Sequence, residues 1–218
     1  MSSGENVRNI DSTLTSIDAW LTDYIAAHHP DIGRLGPICP FVTPSRKNKS
    51  MEFRVRLVGD SPTQDLLEEI ARSSMREYEL VSWQGRNPML RALVVILPDL
   101  RAEDTVLLDE AQRLVKDEFV AHGLMIGQFH DNCEVPAARN PDFAVSRAPV
   151  PLLAIRAIAL HDIFFLSEHR HWFEKYREKF GKFYTPQFTE MDDPVRVEHY
   201  RRAERRYRAP AKSLGDAE

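Results

Sequence analysis

Cysteine is scarce in this chain: Cys39 and Cys133 are the only two among 218 residues. That excludes a disulfide-stapled scaffold and a four-cysteine zinc or iron–sulfur site, so the fold must rest on packing and each thiol is read on its own. Long apolar runs are missing too. The longest clean stretches, residues 92–97 and 149–155, fall far short of the roughly 20 residues that span a bilayer. Neither sign of charge dominates, since 29 Lys plus Arg stand against 33 Asp plus Glu for a formal net charge of -4. Bulk charge therefore argues against nucleic acid as a partner, and only a local patch could bind it. The nine glycines form no phosphate-binding fingerprint: there is no G-x-G-x-x-G, no Walker lysine and no G-x-S-x-G elbow, and H-E-x-x-H is absent as well. Nucleotide hydrolysis and triad chemistry lose their sequence support. Residues 1–9 are polar and carry neither the cationic start nor the apolar run of a secretory signal, so the cytoplasm is the expected compartment, with both thiols reduced.

What is present is a 43% hydrophobic composition, enough to fill one substantial core. Ile10, Leu14, Ile17, Leu21, Tyr24, Ile25 and His28 recur at helical spacing, with Asp11 or Ser12 as a cap and Pro30 after the end. Residues 33–50, rich in proline and glycine, read as an irregular loop. Met51, Phe53, Val55 and Leu57 then alternate with polar residues, the period of a strand with one buried face.

A second helix follows Ser61 and Pro62, with Leu66, Leu67, Ile70, Ser74 and Tyr78 on its stripe. Residues 93–97 read as a strand covered on both sides and 124–129 as another. The helix between them, 104–121, is expected to bury Leu107, Ala111, Leu114, Val115 and Phe119. After a polar loop over 131–148, residues 152–158 form a strand and 162–180 a long aromatic helix carrying His169 on its core stripe. The order predicts an α+β fold: a mixed sheet of about four strands, helices packed mainly on one face, and a single domain over 1–190. Residues 191–218 read as an arginine-rich helix and a tail frayed after Pro210. Six arginines against two glutamates between Arg196 and Arg208 suit RNA contact or, as such runs usually mean, a solvated and partly paired helix.

Candidate chemistry concentrates in two loops. Loop one holds Gly36, Pro37, Ile38, Cys39, Pro40 and Phe41; the prolines stiffen the backbone around a soft Cys39 donor, which suits a haem iron or a reactive thiolate as well as a small buried hydrophobe. Loop two runs through His130, Asp131, Asn132 and Cys133 to Arg139, Phe143 and Arg147. His130 reads as an axial haem ligand, a general base, or a hydrogen-bonded strand-end residue. His130 and Cys133 are spaced H-x-x-C, a zinc chelate that Cys39 could complete. Arg156, inside an apolar strand, asks for an anion: an internal carboxylate, a haem propionate or a carboxylate substrate, with Arg139 and Arg147 as further anion partners. Both loops adjoin strands of one sheet, so Cys39 and His130 are expected to converge on one pocket.

The segments GRLGPICPFV and MIGQFHDNCEVPAARNPDFAVSRAPVPLLAIR resemble an uncharacterised bacterial family of unknown function, often encoded among actinobacterial natural-product genes. Its members carry a G-P-x-C-P-F loop and a late N-P-x-F…R-x-P-x-P-L-L-A-I-R block. More distantly, the C-P-F loop before a strand and the arginine- and serine-bearing block before a later one are similar to the YqcI/YcgG family. That family includes haem proteins that hydroxylate nitrogen in amino-acid side chains. The chain is shorter than those proteins and has no tryptophan-rich middle block. The resemblance implies a haem-dependent monooxygenase of small-molecule biosynthesis acting on an amino-acid-like substrate. Haem would be its cofactor, His130 or Cys39 the iron ligand, and Arg139, Arg147 and Arg156 the anion partners. The other reading from the residues is a non-catalytic accessory or ligand-binding protein of such a pathway. Small-molecule substrate is the expected partner, no membrane is expected, and a homo-oligomer stays open.

Overall fold

A computed structural model describes residues 3–189 and 193–208. Contacts divide the chain into two units, Met1–Ile158 and Ala159–Glu218. In the first, helix α1 (Ser3–Trp20) leads through loop one and a short α2 (Val42–Lys47) to strand β1 (Met51–Val55). Helix α3 (Gln64–Leu80), strand β2 (Ala92–Ile96), helix α4 (Thr105–Ala121) and strand β3 (Leu124–Phe129) follow. A hairpin of β4 (Pro136–Ala137) and β5 (Asn140–Ala144) precedes the last strand, β6 (Leu152–Ala157).

The α+β class is as expected, with four strands in one mixed sheet, ordered β1-β2-β6-β3. β1 lies parallel to β2, while β6 runs antiparallel between β2 and β3, pairing Val94 with Ala154 on one side and Gly127 with Ala154 on the other. The β2-α4-β3 crossover is thus split, and its gap is filled by the strand that leaves loop two. Side-chain alternation then assigns the two faces. Leu93, Val95, Leu97, Ile126, Leu153 and Ile155 face α3 and α4, burying Leu67, Ala71, Leu108, Ala111, Val115 and Phe119. Val94, Ile96 and Leu152 face the other way, under Ile17, Leu21 and Ile25 of the first helix and Val42. The two long crossover helices thus share one face and the α1 region covers the other.

Several expected details differ. Leu114 and Leu66 are exposed on their helices, and on α4 the stripe of Ala111, Val115 and Phe119 is joined by the fully buried Leu108, with Leu107 only half-buried at its margin. β1 is an edge strand whose residues are all half-buried, and it stops before the exposed Leu57. Loop one contains the single-turn-and-a-half α2, too short to leave a periodic signature. The hairpin inside loop two carries Pro136 and Pro141, residues that argue against strand in sequence.

In the second unit the expected aromatic helix is broken. A short α5 (Ile163–Leu166) ends before α6 (Arg170–Phe180), because His169 turns extended at φ −113°, ψ 138°. His169, expected on the core stripe, is exposed, and so is Phe165. A short α7 (Pro186–Thr189) is followed by α8 (Pro194–Tyr207), where the arginine-rich helix was expected. Its Tyr200 stacks on Tyr184 at 3.8 Å and 4°. The Tyr176 hydroxyl donates to the Leu160 carbonyl at 2.6 Å and lies 2.5 Å from that of Tyr184. The expected fraying after Pro210 lies outside the described residues. Among the described residues, no helix is long and apolar enough to cross a membrane.

Candidate functional site

Helix α1 widens at its end into a π turn, Leu21–Ile25, in which the Ala26 N–H donates to the Leu21 carbonyl at 2.9 Å. Such widened turns re-aim side chains and recur at functional sites. Here the turn leaves Trp20 and Tyr24 side by side, ring centres 6.5 Å apart, with Trp20 edge-on to Phe129 at 5.5 Å. Both rings are tied to loop two: the Trp20 indole N–H donates to the Arg147 carbonyl at 2.8 Å and the Tyr24 hydroxyl to that of Val145 at 3.2 Å. Burial raises the Tyr24 pKa, against a lowering influence of Arg147, so the hydroxyl stays protonated as a donor.

Loop one is pinned from within. The Arg34 guanidinium donates to the Pro37 and Ile38 carbonyls at 2.7 and 2.9 Å, and the Ile38 and Cys39 N–H groups donate back to Ala27 and Ile25. Gly33 takes φ +77°, and a Cβ there would stand 2.9 Å from the Arg139 Cβ and carbonyl oxygen. The start of loop one is therefore pressed against the loop-two hairpin, where Asn140 donates to the Asp31 carbonyl at 2.8 Å and His29 stacks on Phe143 at 4.3 Å.

These contacts leave a groove of about 630 Å³ lined by Trp20, Tyr24, Phe143, Arg147, Asp131 and Asp142, among others. Its walls are aromatic and its charged groups have both signs. None of Arg147, Asp131 and Asp142 has an ion-pair partner among the described residues, although all three are exposed. Such a surface can take an apolar or aromatic body between rings while offering a cation to a carboxylate and carboxylates to an ammonium.

A second, smaller hollow of about 410 Å³ lies where β3 ends beside the start of α4, lined by Glu103, Asp109, His130, Asn132 and Glu134 among others. Gln128 and His130 point to the α4 side, where Asp109 Oδ1 accepts from Gln128 Nε2 at 3.1 Å and from His130 Nε2 at 3.0 Å. The turn after β3 closes with the Cys133 N–H on the His130 carbonyl at 3.2 Å, which folds the Cys133 thiol back beneath the histidine. His130 is 2% exposed and Cys133 0%. Burial pushes the Cys133 thiol up, which keeps it a neutral thiol at ordinary pH.

The structure does not bring Cys39 and His130 together. Cys39 packs half-buried against the α1-side cluster, whereas His130 bonds to α4 on the opposite face. The loops do touch, but through Gly33 and Arg139 instead of through the two candidate ligands. The arginines are equally dispersed: Arg139 sits at the hairpin, Arg147 at the groove, and Arg156 half-buried over the Phe41 ring at 5.4 Å, donating to the Ala157 carbonyl at 3.0 Å. Haem would need an axial donor and cations for its propionates around one cavity. The residues singled out for it are split between the two hollows or line neither, and the hollow at His130 is walled by carboxylates, so the set as placed does not fit the group. Sequence reasoning missed Trp20 and Asp109. The signal for the first was an aromatic pair four residues apart at a helix end; Asp109 gave none, being a polar residue beside a core stripe.

The chain belongs to the family described as Domain of unknown function (DUF6875), which it matches over residues 14–191. This agrees with the sequence reading at the level of a family of unknown function. No curated protein and no solved structure matches the chain.

Proposed function

We propose that this member of the family is a small-molecule-binding protein whose ligand is an amino-acid-like zwitterion held in the groove between Trp20, Tyr24 and Phe143. One observation carries this reading: Arg147, Asp131 and Asp142 line an aromatic groove with their charges uncommitted to any described ion-pair partner. A carboxylate on Arg147 and an ammonium on either aspartate would complete pairs that the protein leaves open, and an apolar side chain would lie on the rings. The groove volume falls within the range of small-molecule sites, so a large side chain or a derivatised amino acid is favoured over glycine or alanine. A place in small-molecule biosynthesis rests on the resemblance of the two loop segments alone.

The test is a binding screen by Trp fluorescence with free amino acids, their amides and their N-acyl forms. Binding of the zwitterion should weaken by about 1.5–5-fold when either charged end is blocked, since each charge pair on an exposed groove wall contributes about 0.2–1 kcal/mol. Arg147→Gln should abolish the preference for the free carboxylate. Equal binding of zwitterion and blocked forms would sink this reading. The haem-oxygenase reading, which rests on the same resemblance, is tested by haemin: a Soret band lost in Cys39→Ala or His130→Ala would favour it over the groove.

A further inference from the structure

Outside the groove, one cluster of side chains is assembled like a metal site. We infer that Asp109, His130 and Cys133 bind a borderline-soft divalent cation such as Zn²⁺ at the hollow beside the start of α4. One ligand atom from each of the three residues lies within 4.8 Å of the others. In a tetrahedral zinc site such atoms stand roughly 3.3–3.6 Å apart, given Zn–S near 2.3 Å and Zn–N or Zn–O near 2.0–2.2 Å.

Two features set this cluster apart from a satisfied core network. First, the His130 ring has one nitrogen engaged and one unused: Nε2 donates to Asp109, whereas Nδ1 is buried and has no hydrogen-bond partner. Nε2 is the nitrogen that faces Asp109, so an ion held by both takes the place of the proton between them, and Nδ1 then carries the remaining proton of the ring. Second, the donor set is mixed. Thiolate, imidazole and carboxylate together select zinc and its neighbours over magnesium or calcium, which take oxygen alone. A fully buried thiol is out of reach of a substrate, but an ion can enter from the Asp109 side, whose side chain is 42% exposed. Asn132 and Glu134 line the same hollow and leave room for a water or a fourth oxygen.

The probe is Co²⁺ alone, titrated into the chelator-stripped full chain. One equivalent should bind with tetrahedral visible absorption and a near-ultraviolet thiolate-to-cobalt band. The band should persist in Cys39→Ser and vanish in Cys133→Ser, and Asp109→Asn should weaken binding by at least about tenfold. Cys133→Ser changes a buried position, so its circular dichroism is compared with wild type, and wild type with Cys39→Ser decides the matter without it. No thiolate band in the wild-type protein, or a band that depends on Cys39, overturns the assignment. Neither outcome bears on the groove, which shares no residue with this set.

Discussion

Replacing Trp20 by Phe isolates one interaction that shapes the groove. The substitution keeps a ring against Phe129 and Tyr24 and removes the indole N–H that donates to the Arg147 carbonyl at 2.8 Å. A neutral hydrogen bond contributes about 0.5–1.5 kcal/mol net, and the Arg147 carbonyl can recruit water, which places the loss in the lower half, about 0.5–1 kcal/mol. For a protein of this size that is a fall of about 1–4 °C in Tm. Trp20→Ala also loses the edge contact to Phe129 and the offset stack on Tyr24, each about 0.5–1.5 kcal/mol beyond the buried ring area, and should cost about 2–4 kcal/mol. Urea unfolding followed by circular dichroism reads both, with an unchanged slope showing that the same transition is compared. The groove ligand should bind about 2–5-fold more weakly to the Phe variant, because the loop carrying Arg147 has lost one of its two side-chain tethers to the helix end. A Phe variant as stable as wild type, with an Ala variant less than about 1 kcal/mol down, would show that Trp20 neither anchors the loop nor walls the groove.

Gly33→Ala should cost about 1–3 kcal/mol, from a left-handed φ of +77° and a Cβ 2.9 Å from Arg139 backbone and side chain; a thermal melt unchanged from wild type would show that the two loops do not meet there. Of the two thiols, half-buried Cys39 should react with a thiol reagent in the native protein and the fully buried Cys133 only on unfolding, so that Cys39→Ser leaves no fast-reacting thiol; fast labelling of both would contradict the burial of Cys133. In alkali, burial raises the pKa values of Tyr24, Tyr78, Tyr176 and Tyr184 and pushes Tyr200 up to about 12. The folded state then keeps protons that the unfolded chain releases, so stability should fall as pH rises through the ordinary tyrosine range toward 12, and tyrosinate absorbance should appear with unfolding; early ionisation of these residues in a still-folded protein would contradict it.

Local pattern revealed the elements better than their arrangement. β2 is an unbroken apolar segment ended by Pro98, while β3 and β6 are mostly apolar segments that follow Gly123 and Pro151 and are interrupted only by Gly127 with Gln128 and by Arg156; a strand buried on both faces has few other ways to be written. That β6 inserts between β2 and β3 depends on pairings such as Val94 with Ala154, sixty residues apart in sequence, which no local period records. The break at His169 leaves no mark in the sequence because aromatic spacing continues across it. The groove was half visible: Phe143, Asp131 and Arg147 stood in the loop singled out for chemistry, but their partner wall comes from a helix end more than a hundred residues earlier. Cys39 and His130 looked like one site because both adjoin strands. His130 takes its face from side-chain alternation continued out of β3, whereas Cys39 takes its own from the backbone bond that ties it to Ile25, and neither is written in a local pattern.

The central claim, that the groove at Trp20 receives an amino-acid-like ligand, is tested most directly by the indole N–H resonances of a ¹⁵N-labelled sample. Three tryptophans give three signals, those of Trp20, Trp83 and Trp172, each assigned by its Phe variant. Titration with the tightest-binding zwitterion should shift the Trp20 signal, since its N–H lies on the Arg147 carbonyl at the groove wall, and leave the Trp83 signal in place, since its N–H donates to the Tyr78 carbonyl on the other face of the sheet. A saturating ligand that moves Trp83 or Trp172 while Trp20 stays fixed would place the binding site elsewhere and contradict the account.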